Sequence, residues 1–189
     1  SSGKNDNNGT IIGGSYVSGK IGKALSLSGS TQYVDVGDNT LDSSSTMTLS
    51  LWFKHNGSWA ASEGIIGKRI GTTEFAQYQF GISSSTLYWL QSSSGSNWET
   101  NVNIPQPSVD VWHHLVGTNN GTTARLYLDG VEVGTADSSP ATSLAASTES
   151  LKIGYSRGSA ADRYFNGLID EVAVFNRDLN GSDINKLYQ

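Results

Sequence analysis

Two adjacent carboxylates sit inside an apolar run, Phe165-Asn166-Gly167-Leu168-Ile169-Asp170-Glu171-Val172-Ala173-Val174-Phe175. The β-branched and aromatic residues around them predict a strand. Neighbours in a strand point to opposite faces, so Asp170 is expected beside Leu168, Val172 and Val174, and Glu171 beside Ile169, Ala173 and Phe175. Both faces are apolar. A carboxylate held there needs a cation, an arginine or backbone donors. Asp170 is therefore a place to look for a metal, with an arginine partner or a strand-end position as the alternative.

Other residue types narrow the chemistry. A glycosidase needs two carboxylates across a cleft, and the Glu-x-Asp-x-Glu pattern that would put them on one strand face is absent. Asp170 and Glu171 cannot form that pair from opposite faces. His113 and His114 follow Trp112 in a strand-like run, where a buried, hydrogen-bonded histidine is the simpler reading than a catalytic one. There is no Gly-x-Ser-x-Gly elbow and no phosphate loop. Saccharide recognition needs flat rings and planar hydrogen-bonding groups. Trp59, Trp98, Tyr155 and Tyr164 lie outside the clear core patterns, in polar, turn-rich segments. Arg157 and Arg163 crowd the same loop as the two tyrosines, and guanidinium groups suit acidic or sulfated glycans. Gln77 and Gln79 share one strand face and could add planar donors. Each tryptophan also has a bland reading as a loop anchor.

The elements that must position these residues are strands. At 189 residues the chain suffices for one domain, expected over 1–189. Charged residues are 15%, with 22 glycines. Alternating runs recur at about ten-residue spacing: Ala24–Ser28, Gln32–Val36, Thr48–Lys54, Tyr78–Ile82, Leu87–Leu90, Trp112–Thr118 and Ala124–Leu128. Asp129-Gly130 between two such runs is a strong hairpin signal, because a type I′ turn needs positive φ. One helix is expected, at the tail, with Ser182 as N-cap and Ile184 and Leu187 on one face. The pattern predicts an all-β, two-sheet antiparallel sandwich with a short C-terminal helix.

Net charge is −5 and Lys68-Arg69 is the single adjacent basic pair, which argues against nucleic acid. No apolar run reaches membrane-span length, so membrane insertion is not expected. The absence of cysteine excludes disulfides and thiolate chemistry. A surface poor in lysine and rich in Ser, Thr, Asn and Gly suits a secreted protein. Ser1 reads as a cut edge, so the chain is expected to be a module tethered within a larger protein.

Several segments, in this order, resemble the laminin-G-like, concanavalin-A-like sandwich family. They are Ser2–Thr10, then Gly19-x-x-Gly22-x-Ala24-Leu25 with Gly29 and Tyr33-Val34, then Met47–Phe53, Trp112-His113-His114-Leu115-Val116, Leu126-Tyr127-Leu128-Asp129-Gly130 and Phe165–Val172. The resemblance implies a jelly-roll fold. It also implies a structural Ca²⁺ held by Asp170, the Gly29 carbonyl and residues of the N-terminal loop, among Asn5, Asp6, Asn7 and Asn8. The function expected is non-catalytic binding of a polysaccharide or oligosaccharide. The alternatives are an adhesion or protein-interaction module of the same fold and, third, a glycan-active hydrolase or lyase.

Overall fold

Alternating apolar residues on long runs bury one face of each strand, and two such faces close on one another. The computed structural model describes residues 8–38, 44–71, 73–157 and 161–189. Among them, sixteen strands and one helix form. The first sheet runs, edge to edge, β1 (Thr10–Ile12), β4 (Tyr33–Asp35), β13 (Leu151–Ile153), β6 (Ser62–Arg69), β7 (Ala76–Ser83), β8 (Thr86–Gln91) and β9 (Thr100–Pro105). The second runs β12 (Val131–Asp137), β11 (Ala124–Leu128), β10 (His113–Asn119), β5 (Met47–His55), β16 (Asn166–Phe175), β3 (Lys23–Ser28) and β2 (Ser15–Ser18). Every pairing is antiparallel, as in a jelly-roll sandwich. A small hairpin of β14 (Tyr155–Arg157) and β15 (Asp162–Tyr164) forms a third, two-stranded sheet.

The core lies between the two large sheets. Leu49, Leu51, Phe53, Leu115 and Ile169 meet Ile66, Tyr78, Phe80, Trp89 and Val102, all essentially buried. The expected hairpin forms, with Leu128 opposite Val131 and both Asp129 and Gly130 at positive φ. The helix α1 (Gly181–Tyr188) also forms, but its N-cap is Asn180, whose side chain accepts from the Ser182 and Asp183 amides. Ser182 lies inside the first turn. The helix covers the outer face of the second sheet. Ile184 packs beside Val116 and Tyr127, and Tyr188 stacks on Trp52 at 5.5 Å.

The long carboxylate-bearing strand departs from simple alternation. Its pairing with β5 shifts register between Asp170 and Ala173, and Glu171 has φ 48°. A bulge of this kind inserts one residue and resets which face follows. Asp170 pairs with Trp52 on the outer face, whereas Val172 and Val174 turn inward against the main core. The expected shared face of Asp170, Val172 and Val174 is thereby corrected.

One buried polar set ties the two sheets together. Glu63 on β6 is 1% exposed, and His55 at the end of β5 is fully buried. His55 places Nε2 at 3.0 and 3.1 Å from the Glu63 carboxylate and Nδ1 at 3.1 Å from the Gly57 carbonyl. The same carboxylate accepts from the Ala60 amide at 2.7 Å and the Asn166 amide at 3.2 Å. Four polar contacts fill its lone pairs, which is what a buried carboxylate requires. Glu63→Ala is expected to cost about 3–5 kcal/mol, because it strands His55 and two amides without partners. Urea unfolding checks this; a loss under about 1 kcal/mol would show that the set does not join the sheets.

Candidate functional site

Because the helix covers the second sheet, the outward positions of the first sheet are the ones left to meet a ligand. On β7 the outward residues are Gln77, Gln79 and Gly81; on β8, Thr86, Tyr88 and Leu90; on β9, Asn101 and Asn103. Gly81 lies opposite Tyr88, and a Cβ there would fall 2.6 Å from the Tyr88 hydroxyl, so the ring lies across bare backbone. A Cβ on Gly64 would fall 2.1 Å from the Ser156 amide, so β14 and β15 rest directly on β6. An open cavity of about 500 Å³ results. It is lined by Gln79, Tyr88, Leu90, Trp98, Asn101 and Asn103, with Glu74 and Arg163 also bordering it.

The chemistry of this lining is two rings and three planar amides. Trp98 is half-buried and braced by Phe75, with ring centroids 5.0 Å apart. Its loop is pinned by Glu99, which accepts from the Ser93 amide at 2.8 Å and the Ser94 hydroxyl at 3.2 Å. Burial alone would raise the Glu99 pKa; these hydrogen bonds outweigh it and hold the carboxyl below its usual range. Tyr88 is pushed up, chiefly by burial, with the Arg163 guanidinium acting the other way. It therefore stays a neutral hydroxyl at ordinary pH. Gln79 is 2% exposed, and its Oε1 has no partner among the described residues.

The structure sorts the residues singled out in the sequence. Trp98, Arg163 and Gln79 come together at the cavity. Gln77 does not join them: its Nε2 donates to the Ala145 carbonyl at 2.5 Å. Alternation in the small hairpin separates the rest, since Tyr155, Arg157, Asp162 and Tyr164 share one face and Ser156 and Arg163 the other. The Tyr155 and Tyr164 hydroxyls both donate to Asp162, at 2.7 and 3.3 Å, and both rings gather with Tyr33. Trp59 is structural. Its ring stacks on His55 at 3.8 Å, its Nε1 donates to the Pro107 carbonyl at 3.0 Å, and Phe53 and Phe165 surround it. Tyr88, Asn101 and Asn103 were not singled out in the sequence. Asn101-Val102-Asn103-Ile104 carried the signal, since its alternation puts both amides on one face.

The expected calcium ligands do not gather as one set. Asp170 is 6% exposed, and its demand is met by backbone: Oδ2 accepts from the Ile21 amide at 3.0 Å and Oδ1 from the Glu171 amide at 2.9 Å. The Gly29 amide bonds the Phe165 carbonyl, five residues along the strand from Asp170 and so roughly 16 Å away. Gly29 and Asp170 cannot share one ion. The N-terminal segment does come near, since Gly9, next to exposed Asn8, borders one small cavity with Asp170. Asn5, Asp6 and Asn7 lie outside the described residues. Among the described residues no group of three or more His, Cys, Asp or Glu side chains gathers.

Two histidine arrangements resolve as structure. His114 is buried against the Ser50 hydroxyl at 2.9 Å, and burial pushes its pKa down to about 4, with Asp129 opposing. His113 sits between Asp129 (Nδ1 to Oδ2, 2.7 Å) and Ser108 (Nε2 to Oγ, 2.9 Å). That order resembles a hydrolytic triad. Yet Nε2 also lies 3.2 Å from the Ser108 carbonyl, Asp129 also accepts the His114 amide, and Ser108 does not border the 500 Å³ cavity. The set braces the Asp129-Gly130 turn against the Ser108 loop.

With this geometry in view, the comparisons with known proteins are decisive for family. A profile of the concanavalin A-like lectin/glucanases superfamily, of laminin-G type, matches residues 28–185. The chain belongs to that superfamily. Among solved structures, domain 4 of AbnA, an extracellular GH43 arabinanase from Geobacillus stearothermophilus in complex with arabinotriose, is 23% identical with a TM-score of 0.71. That match covers 96% of this chain and 82% of the other. The receptor-binding domain of botulinum neurotoxin C/D mosaic serotype is 16% identical with a TM-score of 0.68, over 97% of this chain and 46% of the other. A Trypanosoma rangeli sialidase mutant displaying trans-sialidase activity is 15% identical with a TM-score of 0.69, over 95% of this chain and 29% of the other. These likenesses establish the sandwich fold. No curated protein matches the chain significantly.

Within this lectin-like sandwich, Trp59 and Trp98 should respond differently to truncation. Trp59→Ala is expected to destabilise by about 3–5 kcal/mol through lost packing. Trp98→Ala should cost under about 1.5 kcal/mol, since one side of the ring faces the cavity. Paired melting and urea curves check this; equal losses would mean that Trp98 is also only an anchor.

Proposed function

We propose that the chain is a non-catalytic saccharide-binding module that takes an oligosaccharide or a polysaccharide segment on the outer face of its first sheet. The observation that carries this reading is the juxtaposition of the Trp98 and Tyr88 rings with the amides of Gln79, Asn101 and Asn103 around one open cavity. Sugars present an apolar ring face and a rim of hydroxyls, and this lining offers a partner for each. The arabinanase domain solved with arabinotriose has the same fold, which makes arabino-oligosaccharides a sensible first probe.

Catalysis has little support in the same lining. Glu74 is the sole carboxylate among the described residues that border the cavity, and glycoside hydrolysis uses two. The module is taken to be extracellular and tethered to other domains, where it would raise the local concentration of its partner at the polysaccharide. No helix of the described residues is long and apolar enough to cross a membrane.

Calorimetric titration with a panel of oligosaccharides that includes arabinotriose tests the reading. Trp98→Ala and Asn103→Ala are each expected to weaken binding by about 1–3 kcal/mol, or ten- to a hundredfold, while melting stays near that of the parent. Undiminished affinity in both folded variants would move the site elsewhere.

A further inference from the structure

Five arginines occur in the chain. Arg125 pairs with Glu132 and Arg177 with Asp183, on surfaces away from the cavity. The other three, Arg69, Arg157 and Arg163, lie near one another, with Arg163 bordering the cavity and Arg157 on the other face of the hairpin. Among the described residues none of the three has a carboxylate within ion-pair distance. Arg69 is only 3% exposed. Its Nη1 donates to the Glu74 and Arg157 carbonyls, and its Nε and Nη2 are buried with no partner among the described residues. Burial lowers the Arg69 pKa, and Arg157 and Arg163 push it the same way, with Tyr155 and Glu149 opposing. Like charges are thus gathered around a buried cation, an arrangement that an incoming anion would relieve.

Apart from Glu149, which acts on Arg69 outside ion-pair distance, the nearby acids are committed or displaced. Asp162 accepts from two tyrosine hydroxyls on the hairpin face opposite Arg163. Glu99 is held by Ser93 and Ser94. Glu74 is exposed on the rim of the cavity, and its backbone carbonyl, not its carboxylate, meets Arg69. Arg163 is the guanidinium that borders the cavity itself.

We propose that the saccharide taken by this face is anionic, with a carboxylate or sulfate ester docking on Arg163 while Arg69 and Arg157 supply the positive field behind it. The proposal rests on the saccharide-binding reading above and names the ligand class for the same cavity. A planar guanidinium can give two parallel hydrogen bonds to either group, which a lysine cannot. The aromatic rings and amides would hold the sugar ring, and Arg163 would select the substituent.

The test compares three probes of equal length on the intact chain: an oligogalacturonate, its carboxyl-reduced neutral counterpart and a sulfated galactose oligosaccharide. Titrations at low salt and at ~0.3 M salt read the charge dependence. At least one anionic probe is expected to bind about tenfold or more tightly than the neutral one at low salt, with the gap narrowing as salt rises. The arm that binds distinguishes carboxylate from sulfate. Arg163→Gln should collapse the gap and Arg163→Lys should retain part of it, with melting curves as the control for folding. If Arg163→Gln does not fold, the salt dependence of the parent and the Arg163→Lys result decide. Equal binding of neutral and anionic probes, weakened alike by Asn103→Ala, would overturn the anionic preference and leave saccharide binding standing. Binding of none of the probes, nor of arabinotriose, would overturn both. A gap that survives in folded Arg163→Gln would overturn the assignment to this arginine cluster.

Discussion

The contact on which the rest of the structure depends is the buried Glu63 carboxylate. Among the described residues it is the one acid through which the two large sheets are joined by hydrogen bonds at full burial, to His55 of β5 and to the amides of Ala60 and Asn166. Those bonds fix β6 against the second sheet. Gly64 follows Glu63 in the chain, and the hairpin carrying Arg163 rests on its bare backbone. Trp59 closes the far side of His55 and shields the set from water. A polar set of this kind adds little net stability over a well-packed apolar one, but its geometry is unforgiving. Its value here is register: it determines where the hairpin wall of the cavity stands.

A second constraint decides which face meets a ligand. A sandwich has two outer faces; the helix covers the second, and the β14–β15 hairpin covers the first only over β6. The C-terminal helix lays Ile184 beside Val116 and stacks Tyr188 over Trp52, while Lys20 lies over the same Trp52 ring at 4.3 Å. The first sheet keeps glycine at Gly64 and Gly81, so that the hairpin and Tyr88 can approach the backbone. What remains open is a strip of amides and rings across β7, β8 and β9. Function in folds of this class lives in such grafted surfaces and not in the sandwich itself.

Much of the fold was legible in the sequence, because strict alternation and an Asp-Gly turn are local signals. The inward face of Thr48–Lys54, the hairpin at Asp129-Gly130 and the C-terminal helix all follow from residues close in the chain. The site was legible only in part. Trp98, Arg163 and Gln79 were within reach as polar-segment residues, but nothing local showed that Trp59 meets His55 and Phe165, the latter 106 residues onward by their numbering. Trp89 could be placed inward only through its contact with Gly117 on the opposite sheet, where a Cβ would fall 2.5 Å from the ring. The bulge at Glu171 carries no glycine to announce it, so alternation alone puts Val172 and Val174 on the wrong face relative to Asp170. One of its two backbone partners, the Ile21 amide, comes from the Gly19–Gly22 turn, 149 residues upstream, which a reading of the strand alone cannot supply.

The measurement that bears most directly on the account is a backbone amide chemical-shift map recorded during titration with a bound oligosaccharide. The account predicts shifts concentrated at Gln79, Tyr88–Leu90, Trp98, Asn101, Asn103 and Arg163, with little change along α1 and around Trp52. Shifts clustered on the helix-covered face, or on the exposed edge strand Ser15–Ser18, would contradict it.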